Sequence, residues 1–172
     1  AQQVLGVENL GTMMFTPFRE RAEVVSNLIV RKVKVNRNRT PQEALNATGR
    51  AQYTDQKVVD SMPKASADEV EVLFFKPEPW EYTQPDYISE DDIEKAYERR
   101  NCKPADPISV AAVNEADPAF ADKKPHGTYW KDDKGNWCYA TFSRWSDERR
   151  VAVYCDGHGW YDNWWFAGFA SS

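Results

Sequence analysis

Histidine is scarce in this chain: His126 and His158 are the only two among 172 residues, so an imidazole base or ligand has to come from one of these two positions. Around His158, the run Cys155-Asp-Gly-His158 spaces two donors as a metal site would. Nothing nearby completes a four-ligand set, and Asp156-Gly157 reads first as a hairpin turn. There is no glycine-rich phosphate loop, no Gly-x-Ser-x-Gly elbow and no paired-histidine metal motif. Neither a cofactor nor a metal is therefore expected. No apolar run reaches the roughly 18 to 20 residues that a bilayer-spanning helix requires, the longest clean stretches being the strand-sized Val70–Phe75 and Trp164–Ala170. No membrane is expected as a partner. Cysteine is sparse too, with three residues, an odd number and too few for a disulfide framework. A reduced, cytoplasmic setting with the thiols as small buried apolar groups follows, although Cys138 and Cys155 fall on neighbouring predicted strands and one bridge between them stays open.

The net charge of −5 hides an asymmetry. Residues 28–64 hold eight basic and three acidic side chains, residues 65–122 five basic and fifteen acidic, a dipole that can steer a partner or set self-association. The length suits one domain. An N-terminal arm over 1–27, with one helix start at Thr16-Pro17, is expected to precede a single α+β domain over 28–172.

The elements of that domain announce themselves locally. Leu28–Val35 alternates as a strand. Thr40-Pro41-Gln42-Glu43 is a capping box with proline at the first helical position, giving a helix to about Thr48. Tyr53–Met62 reads as extended, and Val70–Phe75 as a stronger strand. Pro77, Pro79 and Pro85 force a loop. Ser89, followed by Glu90, Asp91 and Asp92, opens a helix to about Arg100, and Asp106-Pro107 opens another that Asp117-Pro118 ends or bends into a further turn. From Thr128 the period changes to two, and turn residues separate what reads as a four-stranded antiparallel meander ending at Phe169. The expected fold is thus an antiparallel sheet with a C-terminal, tryptophan-rich meander and about three short helices on one face.

Aromatic residues are abundant where catalytic motifs are absent. Six of the seven tryptophans lie between Tyr129 and Phe169. On Asn136–Trp145 one face carries Trp137, Tyr139, Thr141 and Trp145, the other Cys138, Ala140, Phe142 and Arg144. The last strand is apolar on both faces, and so must be covered on both or expose a patch.

This surplus points to a non-enzymatic binding or interaction module, self-associating, that meets a protein or small-molecule ligand through Trp80, Tyr82, Trp137, Trp145, Trp160, Trp164 and Trp165. Two other classes compete. A small hydrolase could set paired carboxylates in an aromatic cleft. A nucleic-acid binder could track phosphates with Arg31, Lys34 and Arg37, against the repulsion of the acidic middle.

The stretches Arg39–Leu45, Val113–Asp122, Gly135–Tyr139 and Trp164–Gly168 resemble those of small uncharacterised bacterial proteins of mobile elements, including integron gene cassettes, over roughly residues 28–169. The resemblance implies a bacterial accessory protein and carries over no reaction and no catalytic residue.

Overall fold

The computed structural model describes residues 27–171; the arm expected over 1–27 lies outside them, Asn27 apart. Strand β1 (Leu28–Lys34) is followed by α1 (Pro41–Ala47), behind the capping box. Thr40 Oγ1 accepts from the Glu43 N–H at 3.1 Å, and the Glu43 carboxylate accepts from the Thr40 N–H at 2.8 Å. The segment expected to be extended over Tyr53–Met62 divides into β2 (Ala51–Thr54) and a short helix α2 (Gln56–Asp60). The cause is Asp55, whose side chain accepts from the Lys57 N–H at 3.0 Å and caps a helical turn that buries Val58 and Val59.

Strand β3 (Glu69–Phe75) pairs antiparallel with all of β1. The proline-bounded loop holds a single 3-10 turn, Pro79–Glu81, before β4 (Tyr87–Ile88) and α3 (Glu90–Arg99), which Ser89 caps by accepting from the Asp92 N–H at 3.2 Å. Then come β5 (Cys102–Pro104), the Asp106-capped α4 (Pro107–Ala116) and α5 (Phe120–Lys123), the further turn after Asp117-Pro118. Strands β6 (His126–Lys131), β7 (Trp137–Trp145), β8 (Glu148–Cys155), β9 (Trp160–Tyr161) and β10 (Trp165–Ala170) complete an α+β fold.

The main sheet runs β1-β3-β10-β6-β7-β8-β2, with β5 also paired to β10. It is mostly antiparallel, the parallel pairs being β10 with β6 and β2 with β8. Three of the C-terminal segments, β6, β7 and β8, form consecutive hairpins as expected. The last does not hairpin onto β8: β9 leaves for a separate two-stranded sheet with β4, and β10 inserts between β3 and β6. A strand apolar on both faces gains most from an interior position, with neighbours along both edges and cover above and below.

Two cores result, one on each sheet face. The first holds Leu45, Val59, Val72, Phe74, Ile108, Val110, Phe142, Val151 and Val153, beneath α1, α2, α4 and α5. The second holds Phe75, Ile88, Ile93, Ala96, Tyr97, Tyr129, Trp160 and Phe166, beneath α3 and the β4–β9 ribbon. Helices therefore pack on both faces rather than one, because the opposite sides of β10 and of β3 both need cover. Each fully buried Phe or Ile contributes about 1.5 to 3 kcal/mol relative to exposure.

Cys138 and Cys155 stand directly opposite in the β7–β8 register and are joined by a disulfide, correcting the expectation of separate thiols. Cys102 remains a buried free thiol, pushed up to about 11 mainly by burial.

Candidate functional site

The second sheet face is covered only in part. Beyond α3 it opens into a cavity of about 420 Å³, with Thr141 and Ala152 of β7 and β8 among the residues lining it, a size in the range of small-molecule sites. Trp137 and Tyr139 line it from β7, on the face that the alternation assigns to them, and Trp160 and Trp164 from the chain leading into β10. Tyr87, Tyr129 and Tyr161 add phenol surface, and Glu90, Asp156 and His158 supply the charged or ionisable groups.

Trp160 is the hub. Its ring centroid lies 5.8 Å from Tyr139, 5.8 Å from Trp164 and 5.0 Å from Phe166, each crossing edge to face, the arrangement that ring quadrupoles favour. It is 7% exposed. Gly127 makes room for it: a Cβ there would stand 2.9 Å from two Trp160 ring carbons. Trp137 packs against Tyr129 at 5.2 Å, and the Lys131 ammonium sits 4.5 Å from its ring centroid.

The loop after β8 reaches the cavity because of two contacts. Gly159 adopts φ +74°, and a Cβ on it would run into the Tyr87 ring, so a side chain is refused both by backbone and by space. The Gly159 N–H donates to Glu90 Oε2 at 2.7 Å. Glu90, which the sequence marks only as a first-turn carboxylate of a helix, thus also anchors a loop 69 residues away. Within the loop, His158 Nε2 lies 2.9 Å from Asp156 Oδ1, both side chains reaching solvent. Burial, with the Asp156 and Tyr154 charges adding to it, pushes the Tyr139 phenol up to about 12; burial, with Glu94, Cys102 and Glu98 adding, raises Tyr129 further. These phenols are neutral walls and hydrogen-bonding groups, not bases.

Of the aromatic residues singled out from the sequence, Trp137, Trp160 and Trp164 meet in this cavity. The others do not join them. Trp80 is 67% exposed on its 3-10 turn, with the Arg99 guanidinium 4.9 Å from its ring. Tyr82 packs against the second core, and its buried hydroxyl has no partner among the described residues; burial, then the Asp162 and Glu81 charges, push it up to about 12. Trp145 is 69% exposed at the end of β7, and Trp165 turns to the first core with the Lys124 ammonium 5.7 Å from its ring.

The basic trio is divided. Arg37 donates to Asp106 at 3.0 Å, to Ser109 at 2.9 Å and to the Ala67 carbonyl at 2.7 Å. Arg31 lies over Phe120, 4.4 Å from its centroid, with Asp117 at 3.9 Å. Lys34 is exposed beside Lys32 and Arg39 in a shallow groove that also holds Asp68 and Glu115. Two of the three cations are thus engaged within the fold.

The second histidine is structural. His126 is fully buried, its Nδ1 2.8 Å from the Lys124 carbonyl and its Nε2 2.8 Å from the Asn114 amide nitrogen. That pairing fixes a neutral ring donating from Nδ1 and accepting at Nε2. Burial pulls it down to about 3, the Lys124 hydrogen bond opposing and the Arg50 charge assisting. The Asn114 carbonyl oxygen in turn accepts from Arg50 at 3.2 Å. As a metal-ligand set, only the Asp132 carboxylate with the two cysteine sulfurs gathers within 4.8 Å among the described residues, and the bridged sulfurs carry no thiolate to bind an ion.

Compared with protein-family models, with curated proteins and with solved structures, the chain matches none.

Proposed function

We propose that the chain is a non-enzymatic ligand-binding domain whose recognition site is the aromatic cavity between the β7–β8 surface and the β4–β9 ribbon. The observation that carries this reading is the convergence of three tryptophans and four tyrosines on one open space of about 420 Å³. A core would have no reason to leave such rings around a void, since packing them closely gains dispersion energy. Tyr161, 68% exposed, is the open edge of the wall, and Trp164 stands half-buried in it. Replacing either by Ala is expected to weaken ligand binding, read by indole fluorescence, with melting temperature little changed. Melting of both variants at ambient temperature would return these rings to the core and end the reading.

A hydrolase is the second reading, favoured by one observation: Glu90 and Asp156 line the same cavity, with His158 beside Asp156. It requires turnover of a chromogenic glycoside or ester that Asp156→Asn abolishes.

Bacterial mobile-element origin and self-association, through exposed rings such as Trp80 and Trp145, stand as proposals beside it. No helix among the described residues is long and apolar enough to cross a membrane. The cytoplasmic location is likewise proposed, and the Cys138–Cys155 bridge pulls against it, because cytosolic thiol systems keep most such pairs reduced.

A further inference from the structure

We infer that the cavity selects a small organic cation carrying a quaternary ammonium group. This rests on the ligand-binding reading and adds the chemical class. The charged side chains lining the cavity are the carboxylates of Glu90 and Asp156, with His158 next to the latter; among the described residues neither lysine nor arginine lines it. An anion entering there meets two like charges, and Lys131, whose ammonium lies against the Trp137 ring, is not itself among the lining residues. Glu90 lines the cavity, and its Oε2 accepts from the Gly159 N–H, so its charge is held at the cavity wall by a backbone contact.

The walls complete the argument. Indole and phenol faces carry negative quadrupole potential and attract a cation placed over them, most strongly when water is displaced. A quaternary ammonium spreads its charge over an apolar surface and asks for no hydrogen-bond acceptors, so aromatic walls can replace its hydration at little cost. A primary ammonium needs three acceptors, and a sugar needs donors and acceptors along its edges.

The test uses the full chain and three probes: choline, its uncharged isostere neohexyl alcohol, in which carbon replaces the nitrogen, and methyl glucoside. Binding is followed through tryptophan fluorescence and the indole N–H resonances. Choline is expected to bind at least about tenfold tighter than neohexyl alcohol. Glu90→Gln keeps an acceptor for Gly159 while removing the charge, and is expected to weaken choline roughly threefold to tenfold with neohexyl alcohol unaffected. Trp164→Ala, which removes a half-buried wall ring packed edge to face on Trp160, should weaken choline as well. Equal affinity for choline and its isostere would overturn the cation inference while leaving the ligand-binding reading intact. Preference for methyl glucoside would overturn it and favour the hydrolase. Choline binding unchanged in both variants would place the cation elsewhere and overturn it too. Silence of the cavity indoles towards all three probes and towards a fragment library would remove the ligand-binding reading itself.

Discussion

The Gly159 N–H donates to the Glu90 carboxylate at 2.7 Å, joining the loop after β8 to the first turn of α3. One side chain therefore serves the helix dipole, the loop and the charge of the cavity at once. Substitution separates these roles. Glu90→Ala leaves the Gly159 amide without its acceptor and is expected to cost about 1 to 2 kcal/mol, with faster hydrogen exchange at that amide. Glu90→Gln should keep most of the stability. Equal losses in the two variants would show that charge, not acceptance, holds the loop.

Gly127 and Trp160 make a second pair. Gly127→Ala puts a methyl 2.9 Å from the Trp160 ring and 3.0 Å from the Ala140 carbonyl, in the middle of the sheet. A loss of about 1 to 3 kcal/mol is expected, and about 3 to 5 kcal/mol for Trp160→Ala. The exposed Trp80 and Trp145 should each tolerate Ala within about 0.5 kcal/mol. Urea denaturation of the four variants checks the order.

Acid should unfold the protein in a defined window. His126 is neutral in the fold down to about pH 3, whereas an unfolded chain protonates it near its ordinary value of about 6.5. Between these values the unfolded state binds more protons, so stability is full above about 6.5 and is lost as pH falls toward 3, at up to about 1.4 kcal/mol per pH unit. Glu81 adds to the loss at the acid end. Burial alone would raise its carboxyl, but hydrogen bonds from Arg100, the Glu78 N–H and Arg99, with the Arg100 charge, outweigh that and hold it below the usual range. Denaturant midpoints measured from pH 7 to pH 4 test the slope; a flat profile would mean that His126 is not buried.

The disulfide predicts a thiol count. Unfolded without reductant, the protein should expose one reactive thiol, Cys102; with reductant, three. Three in the unreduced sample would mean that the opposed pair stays open, and would free its sulfurs to join Asp132 as metal ligands.

Much of this fold is local chemistry and could be read as such. Thr40 with Glu43, Ser89 before its acidic run, and Asp106-Pro107 each start a helix where their capping chemistry says. The alternation of Trp137 and Tyr139 against Cys138, Ala140 and Phe142 puts each side chain on the face where it is found. What escaped was pairing across distance. Period alone cannot choose neighbours for a strand, so Trp160–Phe169 reads as the sequential partner of β8, whereas its second part, β10, pairs with β3 and β6; its two apolar faces are the signal for an interior place. Val58 and Val59 suit strand or helix equally, and Asp55 decided between them. In the cavity, the indoles were visible from the sequence, but Glu90 was not, since its N-terminal position accounts for it without any partner.

The placement of β10 bears on how the chain is made. Strands β1 and β3 on one side, and β6, β7, β8 and β2 on the other, share no edge except through Trp165–Ala170. Every other described strand leaves the ribosome earlier, so until the closing strand arrives the two sides are joined only by helix packing and side-chain contacts such as Phe74 with His126, without a continuous sheet. Completion of the sheet is then a late step, and a chain truncated before Trp165 is expected to expose strand edges that a holding chaperone would cover.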